Sequence, residues 1–540
     1  MRKRKKIVAL ALTVVTAVGT LTGCGGSGNS KSAVDESGKV VLKVGSIGEP
    51  NSLDPKDFNY YQEIGYDFYS RLLKFTQDGS DVEPDLAESW KQVDDTTYTY
   101  KIREGVKFSD GKDLTMDDVL YSMERVTKNE YSMSYLFSNV KKFSVDKDSW
   151  TLTVKLKQPD STWKYVPATS PCTIVEKEVC EKEGDKYGSH EGSVVGTGPY
   201  KFVSWTAGSE IVYEKNPDWF GGAENVDVDR VEYYIMSDSS TIALACKSGT
   251  IDMGCRLQNS EYSIIDGLSN FEFTTAKGTN TEFISLNTEI APFDDVNARK
   301  ALAYCVDSQA VTEQIGGRYA TKLPTVSITE SMKYMNEGKW DELFGSLEDY
   351  TVQDFDKAKE YLAKSKYPNG FEFDCYTTPA LVNEMEVIQS MCAQVGITMN
   401  IVKILESDSF TYSYGYNADE EGHRPYQALA GGWISDYVDP VGQLKTVYHS
   451  DATATGGANK AMWKNTEFDD LINKSYLTTD DNKRLEYFLE ATKIASEACP
   501  YIDLYEKDTL YALNKNFTYT PSPQDFWNFS YANVKYVGEK

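Results

Sequence analysis

The sequence predicts a multidomain protein of α/β or α+β class, and three observations carry that prediction. Its 540 residues exceed what one hydrophobic core organises, so two or three domains are expected. Apolar residues make up 40% and aromatic residues 13%, enough for a well-packed globule. Short period-two runs and longer runs of helical period occur in separate blocks, the pattern of mixed strands and helices.

At the N-terminus, Arg2, Lys3, Arg4, Lys5 and Lys6 precede an uncharged, mainly apolar run over 7–18. That run is too short to span a bilayer comfortably and reads as the core of a signal peptide, 1–23. Leu21-Thr22-Gly23-Cys24 resembles a bacterial lipobox, which implies cleavage before Cys24 and diacylglycerol attachment to its sulfur. Two acyl chains suffice for stable anchoring where one is marginal. Gly, Ser and Asn dominate the residues that follow, so 24–39 reads as the lipidated cysteine and a flexible tether. No later stretch approaches the length of an apolar membrane span, and the rest is expected to be soluble.

The formal charge is −26, and it becomes −31 without the five N-terminal basic residues. Such a surface repels phosphate backbones and anionic headgroups, which excludes nucleic acid as a partner and leaves the anchor as the sole membrane contact.

Val40-Val41-Leu42-Lys43-Val44 reads as a buried strand ended by the turn residues Gly45 and Gly48. Tyr98, Tyr100 and Ile102 alternate with polar residues, as do Leu152, Val154 and Leu156, so each run is a strand with one face in a core. Between them Thr115 and Asp118 form a capping box ahead of Val119, Leu120, Met123 and Val126 at helical spacing. A helix is expected over 297–315, with Leu302, Cys305 and Val306 on one stripe and a stop at Gly316-Gly317. Met385, Ile388, Cys392 and Val395 form another stripe closed by Gly396, and a third long helix covers 483–498 before Pro500.

Eight cysteines follow Cys24, none in a CxxC pair, and their spacing is not that of a disulfide framework. Several read as buried thiols, while an oxidising location leaves Cys172 with Cys180, and Cys246 with Cys255, open as pairs. Catalytic motifs are missing: there is no GxSxG elbow, HExxH or P-loop, and Gly196-Thr197-Gly198 lacks the third glycine of a dinucleotide turn. The three histidines, His190, His423 and His449, read as surface or loop residues, so no metal or other cofactor is expected. Asp94-Asp95 and Asp480-Asp481 read as solvated turns and helix starts.

A string of ordered segments resembles the family 5 extracellular solute-binding proteins, the oligopeptide and dipeptide binders of ABC importers. It opens with 49–55, Glu-Pro-Asn-Ser-Leu-Asp-Pro, and Leu86-Ala87-Glu88-Ser89-Trp90, and its most recognisable stretch runs over 98–111. It continues with Gly196-Thr197-Gly198-Pro199-Tyr200, Ser248-Gly249-Thr250-Ile251-Asp252, 292–304, Tyr367-Pro368-Asn369-Gly370-Phe371 and 432–440. The resemblance covers nearly the whole chain from about Val40 onward. It implies a two-lobed, type II periplasmic-binding-protein-like flytrap with an additional inserted domain, and a binding function with no catalysis. One lobe would combine 40–70, 194–286 and 508–540, the extra domain would occupy 71–193, and the second lobe 287–507. Two crossings between lobes would form a hinge, and a ligand touching both faces would favour the closed state.

By the same resemblance, the segment Gly432-Trp433-Ile434 offers a strand edge to a peptide backbone, which grips a ligand without reading its side chains. Asp436 matches the family aspartate that pairs with the peptide's N-terminal ammonium, with the Trp-x-x-Asp spacing intact. Asn59, Tyr60 and Tyr61 fall where family members line the opposite side of the cleft. Trp433 reads equally as core, and Asp439 before Pro440 reads as a turn residue. No basic residue presents itself for the ligand's carboxylate. The implied protein is a monomer on the outer face of the bacterial membrane that hands short peptides to an ABC permease and ATPase. An oligosaccharide-binding member of the family and an anchored peptide receptor for signalling remain open.

Overall fold

The computed structural model describes residues 33–57, 67–127, 134–405 and 408–538. Cys24, Asn59, Tyr60 and Tyr61 lie outside them. An 11-stranded sheet forms the frame. Its order is Thr398–Lys403, Glu372–Thr377, Ala428–Ile434, Phe271–Leu286, Tyr501–Asn514, Met253–Cys255, Val41–Ile47, Arg230–Met236, Glu210–Lys215 and Tyr200–Thr206, with Ala320–Lys322 paired to Tyr501–Asn514 off this path. The two long strands Phe271–Leu286 and Tyr501–Asn514 run antiparallel across the middle and join the two halves of the sheet. Their register slips between Ala276 and Asn280, a bulge that bends the ribbon at the junction.

A second, four-stranded antiparallel sheet takes the order Ala87–Asp94, Thr97–Ile102, Thr151–Leu156, Val140–Asp146. The period-two reading holds: Tyr98, Tyr100 and Ile102 are buried on the same face as Leu152, Val154 and Leu156. Helix Met116–Arg125 covers that face and begins at the expected capping box, with Asp118 N–H donating to the Thr115 hydroxyl at 3.3 Å and Thr115 N–H to Asp118 Oδ2 at 2.9 Å.

Helix Val382–Cys392 and its last turn close at Gly396, whose φ of +83° is a conformation glycine adopts without strain. Asp480 caps helix Asp481–Ala498 by accepting from Asn482 and Lys483 N–H.

Two expectations need correction. Gly45 does not end the first strand, which runs to Ile47; a Cβ at Gly45 would stand 2.7 Å from Ile251 Cδ1, so the glycine serves close packing inside the strand. The single helix over 297–315 is broken into Val296–Ala303 and Ser308–Val311, because Asp307 accepts from Ala310 N–H and starts a new helix. The reading of buried thiols holds for all eight described cysteines, and neither pair left open forms. His190 and His423 are exposed, and His449 lies in a loop as read but is buried there, its Nδ1 accepting from Asp451 N–H to cap a turn.

One apolar cluster runs from the four-stranded sheet into the rest of the molecule, joining Tyr100, Trp163 and Tyr165 to Tyr437, Val441, Phe488 and Trp527. Tyr165 stacks on Tyr437 with centroids 5.2 Å apart, which fixes the loop after Ala428–Ile434 against the segment that follows the four-stranded sheet. That loop leads into the candidate site.

Candidate functional site

Strand Ala428–Ile434 has one covered side and one side that is mostly open. On the covered side it pairs antiparallel with Phe271–Leu286 from Ala428↔Leu286 to Ile434↔Asn280. On the other, Glu372–Thr377 reaches only Ala428 and Leu429. The parity of the ladder follows from its ends: Asn287 N–H donates to Gln427 O, and Ser435 N–H to Thr279 O. Antiparallel hydrogen-bonded pairs alternate, so Ala430, Gly432 and Ile434 direct their amides away from Phe271–Leu286; Ala430 still faces Glu372–Thr377, and Gly432 and Ile434 stand on the open side. Lys460 Nζ meets Gly432 O there at 2.7 Å.

Gly432 permits a close contact inside the sheet. A Cβ at this position would lie 2.2 Å from Thr281 O, so the glycine permits close approach of the neighbouring strand. Trp433 and Ile434 are half-buried and pack against the large apolar cluster. The Trp433 indole N–H is buried with no partner among the described residues. Trp433 is thus largely core, with its polar edge left unused.

Asp436 sits two residues beyond the strand and is 5% exposed. Its Oδ2 accepts from the Tyr135 hydroxyl at 2.6 Å, and its backbone oxygen accepts from Trp527 Nε1 at 2.7 Å. Oδ1 has no partner among the described residues. Burial pushes the Asp436 carboxyl up to about 6, against the opposing pull of the Tyr135 hydrogen bond. Burial and the nearby Asp436 charge raise the Tyr135 hydroxyl in turn, so it stays a donor. Three residues on, Asp439 is fully buried; it caps Pro440–Gln443 and pairs with Arg484 Nη2 at 2.6 Å, the structural role expected of it.

Gly432, Trp433, Ile434 and Asp436 are therefore consecutive parts of one open strand edge and the turn that follows. Sequence reading missed Tyr135 and Lys460, which reach this edge from far along the chain and carry no local signal. An extended backbone fits the open amides, and a cation fits the spare oxygen of a buried carboxylate. No cluster of three metal-ligating side chains occurs among the described residues, and no helix among them is long and apolar enough to cross a membrane.

Residues 81–455 match the family described as bacterial extracellular solute-binding proteins, family 5 Middle. The chain is 28% identical over 470 residues to heme-binding protein A of Haemophilus influenzae, covering 82% of each chain. It is 25% identical over 517 residues to the probable D,D-dipeptide-binding periplasmic protein DdpA of Escherichia coli, covering 91% of this chain and 94% of the other. Among solved structures, the periplasmic binding protein DppA from Helicobacter pylori in complex with peptide STSA superposes with a TM-score of 0.78 at 23% identity, covering 92% of this chain and 98% of that one. The fold is the type II periplasmic-binding-protein fold that the sequence implied.

Proposed function

This chain belongs to the bacterial extracellular solute-binding proteins of family 5, and from that premise we propose that it captures short peptides in a closing cleft and delivers them to an ABC permease. Members of the family are transport receptors, not enzymes, and they work outside the cytoplasm. The observation that carries the peptide reading is a nearly buried carboxylate, Asp436, at the end of an uncovered strand edge. The ligand's ammonium would bind Oδ1 while its backbone lies along Gly432–Ile434. The lobes would be 40–70 with 194–286 and 508–540, and 287–507, with 71–193 inserted; Asn59, Tyr60 and Tyr61 would line the side facing Asp436. Two of the similar proteins support a peptide: one is named for D,D-dipeptides and another holds the peptide STSA.

Isothermal titration of the protein with peptides of mixed length and with cello-oligosaccharides tests this. Heat with peptides supports the proposal; heat with the sugar and none with any peptide overturns it.

The pH dependence has a definite sign. Asp436 must be ionised to hold an ammonium, and its carboxyl in the unliganded protein titrates at about 6. Affinity for peptides with a free N-terminus should therefore be flat above pH 6 until the ligand's own amine deprotonates near pH ~8, and should fall about tenfold per unit below 6. N-acetylated peptides should show no such fall. The sign for stability is opposite: the folded value lies above the ordinary 3.8, so Asp436 destabilises the unliganded fold above pH 6 and that cost disappears as pH falls toward 3.8.

Anchoring through Cys24 completes the proposal. Cys24→Ser should move the protein from the membrane fraction to the soluble fraction with ligand affinity unchanged; a variant retained on membranes would refute the lipid anchor.

A further inference from the structure

Lys460 is 5% exposed, and its ammonium stands on the open side of Ala428–Ile434, 2.7 Å from Gly432 O and over the Phe283 ring at 5.5 Å. It forms no ion pair among the described residues. Arg424, 1% exposed, is a second buried cation of this region, and its hydrogen-bond partners among the described residues are neutral: Ser413 O, Gly457 O and the Tyr426 hydroxyl. Glu282, whose charge acts on Lys460, is already engaged by Lys507 at 2.8 Å. An ammonium has three donors, and the described residues use one of Lys460's with a neutral oxygen. A desolvated charge in such surroundings is unfavourable unless an anion joins it.

We infer that Lys460 receives the carboxylate of the ligand, so that Asp436 and Lys460 bracket the open edge and select free dipeptides. This rests on the peptide reading above and adds the ligand's other end and its length. Four residues separate Gly432 from Asp436, so the two charged groups are set apart by at most about 14 Å of extended strand. Contacts of about 2.8 Å at each end leave at most roughly 8 Å for the ligand. An extended peptide spans about 3.3–3.6 Å per residue, so two residues fit within that gap and longer peptides overrun Lys460. The electrostatics agree. Burial pulls the Lys460 ammonium down to about 8, with Glu282 opposing and Arg424 adding to the pull. A bound carboxylate restores the charged form.

Titration of the full chain with di-, tri- and penta-alanine, each as free acid and as C-terminal amide, tests the inference. The free dipeptide should bind at least tenfold tighter than its amide and tighter than the tri- and pentapeptides. Lys460→Met should abolish the difference between acid and amide. Equal affinity for acid and amide, a tri- or pentapeptide that binds as well as the dipeptide, or a Lys460→Met protein that still prefers the acid would each overturn it. If the variant does not fold, the acid and amide comparison on the unaltered chain decides alone. Peptides that bind without regard to their C-terminus would remove this inference and leave peptide capture standing; no binding of any peptide would remove both.

Discussion

Asp436→Asn is expected to weaken a peptide with a free N-terminus by roughly 30-fold to several thousand-fold, the equivalent of about 2–5 kcal/mol, and to leave an N-acetylated peptide nearly unaffected. The size of the effect follows from burial. An ammonium brought against a 5%-exposed carboxylate loses most of its water, and only a fixed opposite charge offsets that loss. Asparagine keeps the shape and an oxygen for the Tyr135 hydroxyl, and the Trp527 bond runs to the backbone oxygen, so the turn should hold. Comparing the two ligands by titration separates loss of charge from loss of structure. Equal weakening of both would count against an ammonium pair.

Arg484→Met is expected to destabilise the protein by about 3–5 kcal/mol, read as a lower midpoint in urea unfolding with an unchanged slope. Arg484 and Asp439 are both buried, and their contact at 2.6 Å is supported by a 3.2 Å hydrogen bond from the Tyr334 hydroxyl. Removing the cation leaves Asp439 charged and largely uncompensated in the interior, while its own hydrogen bond to Val441 N–H still demands an acceptor. The double variant Arg484→Met with Asp439→Asn should recover much of the loss, because the neutral side chain still caps Pro440–Gln443. Since Asp439 is three residues from Asp436, the single variant should also weaken ligand binding.

Elements whose signal is local were legible in the sequence. Thr97–Ile102 and Thr151–Leu156 declare themselves because alternate side chains share one buried face, and Met116–Arg125 because its cap lies within four residues. The break after Ala303 was not legible: the apolar stripe through Cys305 and Val306 continues, but Asp307 captures a backbone N–H and the chain restarts. Gly45 misled for a similar reason, since its role is set by Ile251, some two hundred residues away. At the site, Asp436 and its neighbours came from a contiguous motif. Tyr135 lies 301 residues from the carboxylate it bonds, and Lys460 lies 28 residues from Gly432, so only the folded chain brings them together.

A crystal structure of the protein with a bound dipeptide tests the role of Asp436 most directly. The ligand's terminal nitrogen should stand within about 3 Å of the Asp436 carboxylate, with its backbone hydrogen-bonded to the open side of Gly432–Ile434. A ligand whose amine faces solvent, with that carboxylate touching only Tyr135, would contradict it.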